Sequence, residues 1–208
     1  TLRHALNASH GWGPGFNATE SVQGFTHPLW FLFIALVVSI WSAPVLPILA
    51  FGILSSLIAV ALIVWRVSSV GWVLVGVATL GFSNSFIEYS SSGLENGLAY
   101  LGFSVALLLT IGRERSLHSA ILLGLTSAAL LLMRLDFVLI LVPVLLVSFW
   151  QMRMSVKMLA GLLLGGLTPL LVWVFWALSV YGEILPNTYD AKRNVDIPQA
   201  ELALRGVT

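Results

Sequence analysis

The stretch that decides the fold is MLAGLLLGGLTPLLVWVFWALSV, residues 158–180, which contains no charged side chain. A bilayer core about 30 Å thick requires roughly 20 apolar residues per helix. Each uncharged stretch of this kind therefore predicts a membrane-spanning helix, and Gly161 and Gly165 predict that another helix approaches this one closely. Three further stretches are also free of charge: residues 48–65, 97–111 and 137–150.

The composition agrees with a membrane protein. The chain is 58% hydrophobic and 9% charged, so a soluble globule would expose very large apolar patches. Residues 70–82 and 117–133 are shorter, but each can extend through polar or snorkelling neighbours such as Arg134, which brings the predicted spans to about six. We expect an all-α, multi-pass protein of the cell (inner or plasma) membrane, surrounded by membrane lipids. A net charge of +1 gives no indication of nucleic-acid binding, and the absence of cysteine excludes disulfides and thiolate sites.

The run 28–46 differs from the spans because prolines limit its helix to about residues 29–42. Such a helix is barely 20 Å long. Aromatic side chains near both of its ends are typical of an interfacial or re-entrant segment. A full but short span is the alternative.

Orientation follows from the short loops, where Lys and Arg mark the cytoplasmic side. By this rule, the polar segments lie on the extracytoplasmic side. One set of alternate loops holds Arg66, Arg113, Arg115, Arg153 and Lys157, whereas the opposite short loops hold only Arg134. The predicted organisation is a partial extracytoplasmic loop (1–27), the interfacial segment (28–46), a transmembrane bundle of about six spans (47–182) and the start of another extracytoplasmic loop (183–208).

Four polar clusters on that side contain the candidate site residues. Ordinary roles compete in each cluster: a solvated loop around His27, helix capping by Glu95, snorkelling by Arg134 and membrane anchoring by Lys192. Charges at membrane depth cost about 2.5–3.5 kcal/mol, so Arg134 and Asp136 require the interface, a partner or a polar cavity. The candidate catalytic residues are Arg3 and Glu20, and the candidate substrate-binding residues are His27, Glu95, Arg134, Asp136, Asn187, Tyr189 and Lys192.

These clusters resemble the GT-C type membrane glycosyltransferases, closest to the branch of the terminal arabinofuranosyltransferase of cell-wall arabinan. That branch shows G-x-G-P-x-F-N-x-x-E-x-V-x-G-(F/Y)-T-x-x-L-W after an Arg, and Arg3 and residues 11–30 match it. Its later motifs are S-S-G-L-E, R-x-D and Y-G-x-x-x-P-N-T-Y-x-A-K, which residues 91–95, 134–136 and 181–192 match in the same order.

The resemblance implies a GT-C-like helix bundle that transfers a sugar, such as arabinofuranose, from a polyprenyl-phosphate donor to a glycan acceptor of the cell envelope. Lys192 would bind the leaving phosphate, with Arg134 as the second choice, and Arg3 would position the phosphate or the base. Glu20, His27, Glu95, Asp136 and Asn187 would contact sugar hydroxyls. Trp12, Phe25 and Tyr189 would stack on a sugar face. The metal requirement is left open.

One departure is that the acidic pair of the branch, which precedes its Arg, is not present before Arg3. The resemblance assigns the general base to that pair. We therefore expect a fragment of a longer chain, inactive by itself.

Two other functions fit a polytopic chain. A transporter or flippase could use Arg134 and Asp136 in its pathway, although transporters place ionisable groups near the midplane of broken, repeated helices. A non-catalytic membrane scaffold is the second alternative.

Overall fold

The computed structural model describes residues 1–17, 22–111, 116–184 and 186. The predicted all-α class is confirmed, since these residues form helices and no strand. Glu20, Asn187, Tyr189 and Lys192 lie outside the described residues. The helices are α1 (Leu2–Ser9), α2 (Pro28–Ile40), α3 (Val45–Arg66), α4 (Val70–Gly81), α5 (Asn84–Ser91), α6 (Asn96–Ile111), α7 (Leu117–Met133), a 3₁₀ turn (Leu135–Phe137), α8 (Val138–Met152) and α9 (Val156–Tyr181).

Two of the described helices, α3 and α9, are long and apolar enough to cross a membrane by themselves. Helices α4 and α5 would pass the same test as a pair, but they are bent by 68° at the break between them. The remaining apolar helices, α2, α6, α7 and α8, are shorter than a full span. The structure therefore shows an apolar helical protein with two candidate spans.

Helices α7 and α9 form the most extensive contact in the fold, and glycines allow it. A Cβ on Gly124 would clash with the backbone of Leu162, and one on Gly165 would lie 2.5 Å from the carbonyl oxygen of Ile121. A Cβ on Gly161 would lie 2.5 Å from the side chain of Leu117. The predicted close approach at Gly161 and Gly165 is confirmed, and the order of the contacts makes the two helices parallel.

A second crossing joins α3 and α6. A Cβ on Gly97 would clash with Gly52, whereas one on Gly93 would approach Ile48 and Leu49. Gly93 precedes Gly97, and Ile48 precedes Gly52, so the contacts advance in the same direction along both segments. Helices α3 and α6 are therefore also parallel. They begin at the end of the molecule where α7 and α9 finish.

Helix α2 lies close to that same end. Pro28 opens it without loss of a hydrogen bond, since the first helical N–H groups have no partner within a helix. Trp30 and Phe31 are buried in a core cluster with Trp173 and Ala177 of α9. These aromatics therefore pack against protein, which the interpretation as interfacial anchors had not predicted.

The first polar segment contains a helix that the sequence pattern did not predict. After α1, the Asn7 amide Nδ2 donates to the carbonyl oxygens of Gly15 and Phe16, each at 3.0 Å. The Tyr181 hydroxyl at the end of α9 donates to the carbonyl oxygen of Pro14 at 3.0 Å. These bonds hold the glycine-rich turn against the bundle.

Candidate functional site

Four predicted site residues meet at one end of the bundle, and we call them the polar cluster: His27, Glu95, Arg134 and Asp136. His27 immediately precedes α2, Glu95 precedes α6, Arg134 follows α7, and Asp136 lies in the 3₁₀ turn before α8. Helix ends from distant parts of the chain thus converge there.

Glu95 forms the floor of the cluster and is 2% exposed. Its carbonyl oxygen accepts the first hydrogen bond of α6, from Ala99 N at 3.0 Å. Its Oε1 lies 3.7 Å from both His27 Nδ1 and Arg134 Nη1. Its Oε2 is buried with no hydrogen-bond partner among the described residues. A buried carboxylate of this kind is costly, and its position at a helix N-terminus and beside a guanidinium offsets part of that cost.

Arg134 and Asp136 form a bidentate ion pair. Arg134 Nε donates to Oδ1 at 3.0 Å and Nη2 donates to Oδ2 at 2.8 Å. On a continuous helix two such residues would point in different directions. Here Arg134 has extended backbone angles, φ −154° and ψ 128°, which turn the two side chains toward each other.

The ion pair shifts both pKa values. The hydrogen bond from Arg134 lowers the pKa of the Asp136 carboxyl below its ordinary value. The same bond raises the pKa of the guanidinium, to which the negative charges of Asp136 and Glu95 also contribute. Both groups therefore stay charged over the physiological range.

His27 has a defined proton arrangement. Its Nδ1 lies 3.0 Å from the carbonyl oxygen of Met133, and a carbonyl can only accept, so Nδ1 carries the proton. In the neutral ring Nε2 is then an acceptor, and the Thr26 hydroxyl lies 3.2 Å from it.

Arg3 is not part of this arrangement. It is exposed on α1, and its guanidinium lies 4.2 Å from the centroid of the Phe16 ring. Trp12 is also exposed and could meet a ligand. Phe25 is buried and stacks on Phe31 with ring centroids 4.3 Å apart. The prediction that Phe25 stacks on a sugar is therefore wrong, because core side chains enclose its ring.

His4 is a buried residue that sequence reasoning did not select. Its ring packs edge-on against Phe25 at a centroid distance of 5.2 Å, and a Cβ on Gly24 would lie 2.9 Å from its Nε2. Neither ring nitrogen has a hydrogen-bond partner in the described part of the chain. Burial lowers the pKa of this imidazole. Only its position on the buried face of the short helix α1 could have pointed to it.

An apolar groove of about 310 Å³ lies between α3, α4, α5 and α6. Tyr100 on its wall follows Glu95 by five residues in α6, or about 7.5 Å along a helix axis. Five residues turn a helix by about 500°, so Tyr100 and Glu95 lie on different faces of α6. The groove extends along α3 to Val67, toward the end of the bundle away from the polar cluster. Its lining includes Ala59, Ile63, Trp72, Val77, Phe86, Tyr100 and Phe103.

Comparison of the chain with protein-family models, with curated proteins and with solved structures found no match. Within the described ranges, no group of three or more His, Asp or Glu side chains is arranged to hold a metal ion.

Proposed function

We propose that this chain belongs to a multi-pass membrane glycosyltransferase of the GT-C type. It would transfer a sugar, such as arabinofuranose, from a polyprenyl-phosphate donor to an extracytoplasmic glycan acceptor. The observation that carries the proposal is the polar cluster, a buried carboxylate with an arginine, a histidine and a second carboxylate, at one end of a highly apolar bundle. Charges are costly inside a membrane protein, which favours a functional role for such a group.

The apolar groove supports a lipid-linked donor. A polyprenyl chain requires an apolar surface, and the groove between α3, α4, α5 and α6 provides one, although none of the four polar-cluster residues lines it. A water-soluble nucleotide sugar would not require a groove of this kind.

The distribution of charge supports an extracytoplasmic site. Arg66, Arg153 and Lys157 flank the ends of α3, α8 and α9 that are farthest from the polar cluster. The positive-inside rule favours a cytoplasmic position for that far end, and this supports an extracytoplasmic position for the polar cluster. The charges are also at helix ends, whereas a transporter would place them near the midplane.

In the proposed reaction an acceptor hydroxyl oxygen attacks the anomeric carbon of the donor. The bond from that carbon to the phosphate oxygen breaks, and its electron pair leaves with polyprenyl phosphate. The hydroxyl proton passes to a carboxylate of the acidic pair that the resemblance places before Arg3. Lys192 would neutralise the departing phosphate.

The test is transfer from a radiolabelled polyprenyl-phosphate sugar in membranes containing the protein. We expect Lys192→Ala to reduce transfer strongly while expression stays normal. Lys157→Ala is the matched control, because it removes the same charge at the far end of the bundle. Equal loss in the two variants, or no transfer from several donor sugars by a properly inserted protein, would overturn the proposal.

A further inference from the structure

The polar cluster has an unusual balance of charge for a site next to a phosphate. Glu95 and Asp136 contribute two negative charges and Arg134 contributes one positive charge, so the cluster is net negative when His27 is neutral. The bidentate bond to Asp136 also occupies Nε and Nη2 of Arg134, two of the donors with which the guanidinium would bind a phosphate.

The groups at the open side of the cluster are mainly hydrogen-bond acceptors. The side chains of Asp136 and Arg134 are 57% and 40% exposed, whereas that of Glu95 is 3% exposed. Asp136 retains acceptor capacity after its two bonds to Arg134. The Thr26 hydroxyl lies 3.2 Å from His27 Nε2 and 3.3 Å from Nδ1, and its oxygen adds a neutral acceptor at the open side of the cluster.

From this arrangement we infer that the polar cluster is a subsite for the hydroxyl groups of a neutral sugar and that it rejects phosphate. Asp136 and the Thr26–His27 pair contact adjacent hydroxyls. The N–H groups of Arg134 that are left over donate to a ring or hydroxyl oxygen. Glu95 is a positioning residue, since its charge orients Arg134 and His27 from below. The inference rests on the proposed function, and it separates the sugar from the phosphate, which a different part of the protein must bind.

Sugar hydroxyl groups match the hydrogen-bond donors and acceptors of the polar cluster. Each sugar hydroxyl can donate to a carboxylate oxygen and accept from a guanidinium N–H, so a pair of neighbouring hydroxyls satisfies both halves of the Arg134–Asp136 pair. A phosphate has acceptor oxygens and a negative charge, and it would face Asp136 across a few ångströms. The sugar could come from the donor or from the acceptor glycan.

The test measures binding to the protein in lipid nanodiscs with three probes. They are a polyprenyl-phosphate sugar, sugar-free polyprenyl phosphate and a neutral arabinan-type oligosaccharide. The first variant is Asp136→Asn, which keeps the shape of the carboxylate but removes its charge. Glu88→Gln is the control, since Glu88 is an exposed carboxylate of α5 outside the cluster.

We expect Asp136→Asn to weaken binding of a sugar-bearing probe about tenfold or more, because hydrogen bonds to a charged acceptor are lost. Binding of sugar-free polyprenyl phosphate should stay the same or strengthen. Loss confined to the polyprenyl-phosphate sugar identifies the donor sugar as the ligand, and loss confined to the oligosaccharide identifies the acceptor. A parallel loss for sugar-free polyprenyl phosphate, or unchanged binding of both sugar probes, would overturn the inference.

A second variant, Thr26→Val, tests the same subsite independently of any folding defect that Asp136→Asn causes. It removes one exposed hydroxyl without changing charge, and the same selective loss of sugar binding is expected in a protein with unchanged thermal stability. Transfer activity is measured separately. An active wild-type enzyme whose sugar binding ignores both variants would contradict this subsite and leave the proposed function standing, whereas a complete lack of transfer would contradict the function.

Discussion

The crossing of α7 and α9 and the polar cluster lie in the same bundle, but they are built on opposite principles. At the crossing, glycines bring two backbones into contact and no charged group takes part. In the polar cluster, polar and charged side chains from three parts of the chain meet at distances between 2.8 and 3.7 Å. The difference shows that backbone packing and charged contacts lie in different regions of this fold, the first within the bundle and the second at one of its ends.

The physical reason is the environment of each region. Close packing inside an apolar bundle adds many small dispersion contacts and requires no desolvation of charge. An ion pair as exposed as Arg134–Asp136 contributes little to stability, because water competes for both partners. The predictions below test this division, beginning with the largest effect.

Gly124→Val should produce the largest loss of stability, because its side chain would meet the backbone of α9 rather than a flexible side chain. We expect a loss of about 3 kcal/mol in unfolding measured in mixed detergent micelles. Gly76→Ala is the matched control in α4, where no atom lies within 4 Å of the added Cβ. That variant should gain about 0.5–1 kcal/mol from helix propensity. A stable Gly124→Val protein would show that α7 and α9 do not cross at this point.

In contrast to Gly124→Val, Glu95→Gln should reduce sugar transfer and not stability. Removing a buried charge whose Oε2 has no described partner should leave the unfolding free energy unchanged or raise it. The proposed sugar transfer should fall about tenfold, since Arg134 and His27 lose the charge that orients them. Glu88→Gln should change neither quantity. A large loss of stability in Glu95→Gln would mean that the cluster holds the fold together.

Thr110 and Ser148 offer a smaller test inside the apolar bundle. Their hydroxyls lie 2.6 Å apart and are buried between α6 and α8. A double-mutant cycle with Thr110→Val and Ser148→Ala should give a coupling of about 0.6 kcal/mol, the usual size for such bonds between membrane helices. A coupling as large as the Gly124 effect would contradict the view that glycine packing, and not polar contact, dominates the bundle.

His4 should contribute to the pH dependence of the melting temperature. Because burial lowers its pKa below the ordinary 6.5, the unfolded chain binds the proton more readily. Its stabilising contribution is present above pH 6.5 and is lost as the pH falls through the lower, folded-state pKa. His4→Leu should remove this part of the pH dependence of the melting temperature, whereas His118→Gln, an exposed control, should retain it. Identical slopes for His4→Leu and wild type would show that His4 is not buried.

The candidate site was only partly predictable. Glu95, Arg134, Asp136 and His27 stand out in the sequence because they belong to polar segments between long apolar stretches, where charge is energetically expensive. Their partners could not be read in the same way: the tautomer of His27 depends on a backbone carbonyl, and the Arg134–Asp136 bond depends on a local break in the helix.

The sequence by itself determined the helical class and the candidate membrane helices, because apolar length and the absence of charge are local properties that a bilayer selects directly. It also predicted the close approach at Gly161 and Gly165, since only small residues let helices meet at the backbone. The tertiary structure alone decided that Gly124 and Gly97 lie at crossings, that Phe25 belongs to the core and that three distant parts of the chain form one polar cluster. Those facts depend on which elements face each other, and contacts between distant parts of a chain are not encoded in any single stretch of it.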